Sequence, residues 1–349
     1  MTRFSGHVVT GRGEAAGFTR LDWVREQVVE HLGIDPFPGT LNLEAEPADL
    51  DTWRAVRTSQ GIPINPPTAD FCAGRCYAVR LNDRVPAGVV VPELPAYPPS
   101  QIEIVAAVAL RGLLGLRDGD RVTLGTCDRL SVRALIFDVD GTLVDSLTAY
   151  RVVAERAAAP YGLTISDAIV REALNTTRPF WDLLLPPDLA DRASVMETLR
   201  REAGRLWPEV LREHGRLCAD VGQTLGALRE RGAKLGIVTG SRRGSLEALR
   251  RASVIELFDA VITGEDVRRR KPDPEGLLAC ASMLGVSAAD AAYVGDTPLD
   301  IEAAHAAGMI AMAVLGGAGD SALLSAAGAD RLVASLGRLP GVVTIGRAT

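Results

Sequence analysis

The feature that most restricts the fold is a change of texture near residue 130. Upstream, short apolar runs (HVVTG, PGTLNLE, CYAVRL, AGVVV, DRVTL) are broken by Gly and Pro, the pattern of a compact, mostly β, barrel-like domain. One helix interrupts them: LDWVREQVVEHLG sets Leu21, Val24, Val28 and Leu32 on a single stripe and stops at Gly33. Downstream of residue 133, the strand-like runs ALIFDV, KLGIVTG, AVITG, AAYVGD and MIAMAVLG alternate with amphipathic helical stretches, as in a doubly wound parallel α/β sheet. Residues 147–216 break that alternation and read as a helical cap insert. The spacing therefore predicts two domains, 1–128 and 132–349, joined by a short linker at 127–132 (CDRLSV). At 349 residues and 47% hydrophobic, the chain has enough apolar material for two cores.

A net charge of -6 argues against a general nucleic-acid or membrane-surface binder, while leaving small anionic substrates open. Cys72, Cys76, Cys127, Cys218 and Cys280 form neither a paired framework nor a zinc pattern, and read as free or buried thiols of a reducing compartment. No run reaches the roughly 18 apolar residues of a membrane span, and the start MTRFSGHVV has no signal-peptide core. A soluble, cytoplasmic protein is expected.

The chemistry concentrates in ALIFDVDGTL, where four apolar residues run into Asp138 and Asp140. Ligands of an open parallel sheet sit beyond the carboxyl ends of its strands. Side chains two apart on an extended chain share a face, so both acids can reach one phosphoryl group and one Mg²⁺ ion. Asp138 suits a nucleophile and Asp140 a proton donor to the leaving oxygen. Alone, such a pair is equally a turn. Three more strand ends carry matching groups: Thr239 after KLGIVTG, Lys271 in RRRKPDPEG, and Asp296 and Asp300 in AAYVGDTPLDIEAAHAAGM. Each singly has a plainer explanation, as a helix cap, a surface charge or a turn residue. Together and in this order they predict one phosphoryl-transfer site.

Over residues 133–340 the sequence resembles the haloacid dehalogenase superfamily, in its phosphoglycolate-phosphatase-like branch with a helical cap. DVDGT, VTG, the RKPDPEG lysine and VGDTPLDIEAAHAAGM carry the resemblance. It implies Asp138 as nucleophile, Asp140 as general acid/base, Thr239 and Lys271 on phosphate, Asp138, Asp140 and Asp296 around Mg²⁺, and Asp300 in support of the lysine or the metal shell. Mutase activity is an alternative within the superfamily. Arg178 of NTTRPFWD reads either as a cap contact to an anionic substrate or as a solvated helix charge.

In the first domain, VVTGRGEAAGF puts Gly11 and Gly13 in a turn after a strand, a place where backbone N–H groups can approach phosphate, though it fits neither the P-loop nor the dinucleotide fingerprint. Thr40 and Asn42 lie two apart in PFPGTLNLE and can turn neutral oxygens to one side, towards Mg²⁺, or form an ordinary strand start. With AGRCYAVRL, GVVVPE and IEIVAAVALRGLLGLRDGDRVTL, residues 5–125 resemble the archaeal-type CTP-dependent riboflavin kinases. This resemblance implies a small barrel, CTP held by Gly11, Arg12, Gly13, Glu14, Ala15 and Ala16 and by Val108, Ala109, Leu110 and Arg111, Mg²⁺ on Thr40 and Asn42, and Glu103 at the flavin or acceptor hydroxyl. The chain departs from the family where Ala15 and Ala16 replace a glycine and an arginine. Pro95 replaces a threonine, and Ala107, Ala109 and Gly112 replace proline, lysine and glutamate.

Kinase and phosphatase acting on one bond would only hydrolyse nucleotide. The fusion is therefore read as a bifunctional phosphotransfer enzyme whose halves act on different compounds: a Mg²⁺-dependent phosphatase for a small phosphomonoester, and a CTP-dependent kinase giving flavin mononucleotide or a related nucleoside-like phosphate. A phosphatase governed by a non-catalytic flavin or nucleotide sensor is the alternative. Neither nucleic acid nor membrane is an expected partner.

Overall fold

The structure is a computed structural model that describes residues 2–11, 15–68, 70–127, 129–189 and 191–346. The chain divides into two compact units, Met1–Leu130 with Ser321–Ala334, and Ser131–Asp320 with Ser335–Thr349.

The first unit is built on strands β1 (Arg3–Val9), β2 (Leu41–Ala45), β3 (Ile62–Ile64), β4 (Gly74–Leu81), β5 (Val85–Pro92), β6 (Gln101–Val105) and β7 (Arg121–Thr126). Their order is β3-β4-β5-β6-β2-β1-β7, antiparallel throughout, and β4 also pairs with β7. That last pairing closes six strands into a barrel and removes their free edges, leaving β3 appended outside. Alternation decides which side chains fill it: Leu41 and Leu43 of β2 and Ile102 and Ile104 of β6 enter the core, so Asn42 and Glu103 face the other way. Trp53 stacks on Phe4 within the same core, with ring centroids 5.4 Å apart. The predicted helix forms over Asp22–Leu32, burying Val24, Val28 and Leu32.

The second unit holds a parallel sheet whose neighbouring strands run Ala260–Ile262, Lys234–Val238, Ala134–Phe137, Ala291–Gly295, Ile310–Val314. Every residue of the central Ala134–Phe137 strand is buried, as expected of a strand covered on both faces. Chain order reverses on either side of it, which opens a crevice at its carboxyl end. Helices Leu147–Ala158, Asp167–Leu174, Phe180–Leu184 and Arg192–His214 intervene before the next sheet strand and pack around Ala154, Ala158, Val170 and Leu199. The chain enters and leaves them through a two-residue antiparallel pair, Val144–Asp145 with Arg216–Leu217. Among the described residues, no helix is long and apolar enough to cross a membrane.

Candidate active site

Sheet register brings the predicted residues of the second unit together. Phe137 is opposite both Ile237 and Val294, so Asp138, Thr239 and Asp296 leave their strands at nearly the same level. Gly141 turns the chain away with φ +80°, and a Cβ there would come within 2.2 Å of Asp296 Oδ2, so only glycine lets the two loops meet. Lys271 Nζ lies 3.0 Å from Asp138 Oδ1, 2.5 Å from Asp300 Oδ1 and 3.0 Å from the Tyr293 hydroxyl. Tyr293 donates in turn to the Val238 carbonyl at 2.7 Å. Asp300 opens the helix Pro298–Ala306 as half of a capping box with Thr297, and its Oδ2 accepts from the Asp296 and Thr297 amides and the Thr297 hydroxyl. Asp296 accepts from the Thr142 hydroxyl at 3.0 Å and the Ala318 amide at 2.7 Å. Carboxylate oxygens of Asp138, Asp296 and Asp300 fall within 4.8 Å of one another.

Asp140 stands beside that group rather than in it. Its Oδ2 accepts from the Ser241 hydroxyl at 2.5 Å, while Ser241 N donates to Thr239 Oγ1 at 3.1 Å. Predicted as a metal ligand through its carboxylate, Asp140 is thus turned towards Ser241. Arg178, the candidate substrate contact of the cap, is exposed.

One largely buried cation faces several acids, of which Asp138, Asp296 and Asp300 are buried. Burial raises the Asp138 pKa, Lys271 opposes it, and Asp300 and Asp140 add to it, leaving the carboxyl at about 7. Burial, with Asp300 and Asp138 next, holds Asp296 well above the usual carboxylate range. Asp140 is raised by burial against the pull of the Ser241 and Ser146 hydroxyls. Burial also works against the Lys271 ammonium, but Asp138 and Asp300 outweigh it and keep the lysine charged. Asp140 Oδ1 is buried without a hydrogen-bond partner among the described residues, and Asp138 Oδ1 meets only the lysine, at 3.0 Å. Unfilled oxygen lone pairs and excess negative charge are what a hard divalent cation would satisfy, so the donor set fits Mg²⁺.

In the first unit, the register row Val9–Asn42–Glu103 crosses β1, β2 and β6. Asn42 Nδ2 approaches Thr40 Oγ1 at 3.3 Å, which brings the two predicted ligands together. Gly11 packs against them: a Cβ on it would lie 2.2 Å from Asn42 Nδ2. Arg111 ties the same corner, donating to the Val9 carbonyl at 3.0 Å and to Asp118 at 2.7 Å, while Thr10 bonds the other Asp118 oxygen. Leu110 is buried, Val108 packs on the barrel core, and Ala109 precedes the short helix Leu110–Leu114. Glu103 accepts from Gln101 at 2.8 Å and lies against Tyr97, whose hydroxyl is pushed well up by burial and by that carboxylate. Arg12, Gly13 and Glu14 lie outside the described residues. Ala15 and Ala16 begin a helical turn, Ala15–Phe18.

Residues 135–314, about half the chain, match the haloacid dehalogenase-like hydrolase family. The chain belongs to this family. Residues 8–125 match a second model, CTP-dependent riboflavin kinase, described as domain of unknown function DUF120. A phosphoglycolate phosphatase of Shigella boydii is 32% identical over 200 residues, 51% of this chain and 79% of that protein. A riboflavin kinase of Methanoregula boonei is 38% identical over 122 residues, 34% of this chain and 54% of the relative. The chain thus spans about half the length of the riboflavin kinases it matches. A solved haloacid dehalogenase-like hydrolase from Bacteroides fragilis superposes with a TM-score of 0.52 at 29% identity, covering 60% of this chain and 99% of that one. An N-terminal riboflavin-kinase-type barrel is therefore fused to a phosphatase-type haloacid dehalogenase-like domain.

Several residues around the haloacid dehalogenase-like site were not singled out from sequence. Tyr293 and Thr142 sit inside motifs that were recognised, but a lone hydroxyl in a strand or turn gives no sign of its partner. Ser241 follows the Thr239 motif by two residues, a spacing that could have suggested it. Tyr150, partly buried in the cap with its ring centroid 4.5 Å from that of Trp207, is near enough to the site for Asp140 and Ser241 to act on its hydroxyl, which burial pushes well up. Helical periodicity marks such an aromatic only as core.

Proposed function

We propose that the haloacid dehalogenase-like domain is a Mg²⁺-dependent phosphatase working through an aspartyl-phosphate on Asp138. The observation that carries this reading is Lys271, bridging Asp138 and Asp300 beside Asp296. Asp138 and Asp296 would hold Mg²⁺, with Asp300 and Asp140 alongside; bound there, it would offset charge on the phosphoryl oxygens and keep Asp138 ionised. The Asp138 carboxylate attacks phosphorus, and the ester bond breaks as Asp140 gives its proton to the leaving oxygen. Its raised pKa suits a group that arrives protonated. Water then attacks the phosphoryl group, Asp140 takes the proton back, and Asp138 is released. Lys271 and Thr239 hold the phosphoryl oxygens during both steps.

The barrel is read as a CTP-dependent kinase for riboflavin or a related nucleoside-like hydroxyl. Thr40 and Asn42 would take its Mg²⁺, the Gly11–Ala16 turn and residues 108–111 the nucleotide, and Glu103 the acceptor. Because opposed activities on one bond are futile, the phosphatase substrate is assigned to a different compound, a small phosphomonoester such as a phosphorylated ribityl precursor of riboflavin.

A screen of flavin precursors, nucleotides and sugar phosphates with wild-type protein and Asp138→Asn tests the first half. Mg²⁺-dependent hydrolysis lost in the variant supports it, and equal rates in both proteins refute it. For the barrel, CTP and riboflavin are added together and phosphorylated product is sought; binding without turnover points to the sensor alternative.

A further inference from the structure

The loop that holds Asp296 is itself held by the cap. Asp296 Oδ2 accepts from the Ala318 amide at 2.7 Å, and the Asp296 carbonyl accepts from Gly319 N at 2.9 Å, so residues 317–319 wrap this acid from outside. The carbonyls of the same loop point the other way, towards the cap helix Asp167–Leu174 and the residue that follows it. Arg171 donates through Nη1 to the Gly317 carbonyl and approaches that of Ala318 at 3.5 Å. Asn175 Nδ2 donates to the Ala318 carbonyl at 3.0 Å and to its own helix at the Arg171 carbonyl, 2.9 Å away. Ala318 is therefore a shared peptide: its N–H faces an acid of the cation site, and its C=O faces two cap side chains.

Among the described residues, no hydrogen bond or ion pair joins Arg171 or Asn175 to the acids of the site, and Arg171 sits on the helix that also packs Val170 and Ala173 into the cap core. Donation to the Ala318 carbonyl polarises that amide group as a whole, and it fixes where the loop, and with it the donor to Asp296, is placed. A cap that swings away must break these bonds and free the loop.

We propose that Arg171 and Asn175 are positioning residues that couple cap closure to divalent-cation binding at Asp296. The inference rests on the reading of Asp138 and Asp296 as the cation site. Closing the cap fixes the loop and orders Asp296; by linkage, a cation that orders Asp296 favours the closed cap.

The test uses the full chain and Mg²⁺ alone, titrated calorimetrically at pH 8. The relevant binding event is the one that Asp296→Asn removes, which separates it from any uptake by the barrel. Arg171→Ala is expected to weaken that event about five-fold or more, with Arg171→Lys in between and Asn175→Ala weakened in the same sense. Arg205→Ala, on the exposed face of the long cap helix, should bind as wild type. In the wild-type protein, Mg²⁺ should slow amide exchange along Asp167–Leu174, an effect that a purely structural role for Arg171 would not produce. Wild-type affinity in both Arg171→Ala and Asn175→Ala overturns the coupling. So does unchanged exchange in that helix, which decides the matter even if Arg171→Ala fails to fold. If Asp296→Asn removes no Mg²⁺ binding event, the cation-site reading itself fails.

Discussion

Lys271 Nζ lies 2.5 Å from Asp300 and 3.0 Å from Asp138, so the lysine is held more closely by the acid that caps a helix than by the proposed nucleophile. The Asp300 anchor is rigid because its second oxygen is engaged by two amides and a hydroxyl at the start of Pro298–Ala306. Asp138 lacks such ties: beyond its own backbone, its side chain meets only the lysine, at the longer distance of 3.0 Å. A phosphoryl group can therefore take a share of the lysine without displacing it from its mount.

Asp300→Asn should separate these duties. The variant keeps the shape of the cap but loses the charge that offsets Lys271, and an NH2 group must face donors. Stability is expected to fall by about 3 kcal/mol, the low end for a broken buried pair, since Asp138 still faces the lysine. Hydrolysis should fall about 100-fold, as for loss of one preorganised donor. Thermal melts and kcat/KM measured on the same preparation check both; a stable variant with wild-type turnover would show that Lys271 needs no anchor.

The raised pKa of Asp138, about 7, gives a pH dependence with a definite sign. A carboxyl whose pKa is higher in the folded chain than in the unfolded one binds more protons when folded. Its contribution to stability is then lost as pH rises from the usual carboxylate range to about 7. In chelator, wild-type protein should lose melting temperature between pH 5 and pH 8, and Asp138→Asn should lose about 2 °C less. Because an acid must be ionised to hold Mg²⁺, affinity for the ion should weaken as pH falls below about 7, with proton uptake by the buffer during binding. Calorimetry in buffers of different ionisation enthalpy detects that proton; pH-independent binding would contradict the assignment.

Ser241 bears on the second acid. Its hydroxyl donates to Asp140 at 2.5 Å and favours the charged carboxylate, so its removal should raise the Asp140 pKa further. A general acid must be protonated to act. Ser241→Ala is therefore expected to shift the alkaline limb of the kcat profile upwards. A downward shift would mean that Asp140 is not the proton donor.

How much of this was readable before the structure depended on the distance between partners. Strand ends at Phe137, Val238 and Gly295 followed from apolar runs halted by polar residues, so Asp138, Thr239 and Asp296 could be placed at one edge of one sheet. The cap was visible as helices without a strand. Side-chain orientation was not: two acids two apart on an extended chain share a face, yet Gly141 turns the backbone at once, and Asp140 goes to Ser241 instead of joining Asp138 and Asp296. Likewise, nothing in the spacing of Arg171 links it to carbonyls about 146 residues away. In the barrel, Thr40 and Asn42 were legible as a pair on one side of an extended run, but the adjacency of Asn42 and Glu103 came from register, which only the closed sheet fixes.

Gly11 offers the sharpest test of the barrel corner. Its φ is unremarkable, so alanine costs no backbone strain, and the obstacle is the side chain of Asn42, 2.2 Å from where the new Cβ would lie. That side chain ends in a rotatable amide and can swing aside, so the melting temperature of Gly11→Ala should stay within about 2 °C of wild type. Swinging aside, however, takes Asn42 away from Thr40 and covers the turn with a methyl group. If Thr40 and Asn42 hold Mg²⁺ beside a nucleotide approached by the backbone of this turn, calorimetric binding of CTP with Mg²⁺ should weaken at least about ten-fold. Asn42→Ala should weaken it to a similar degree, and the double variant little further, because both changes act on one contact. Full CTP affinity in Gly11→Ala would place the nucleotide elsewhere on the barrel.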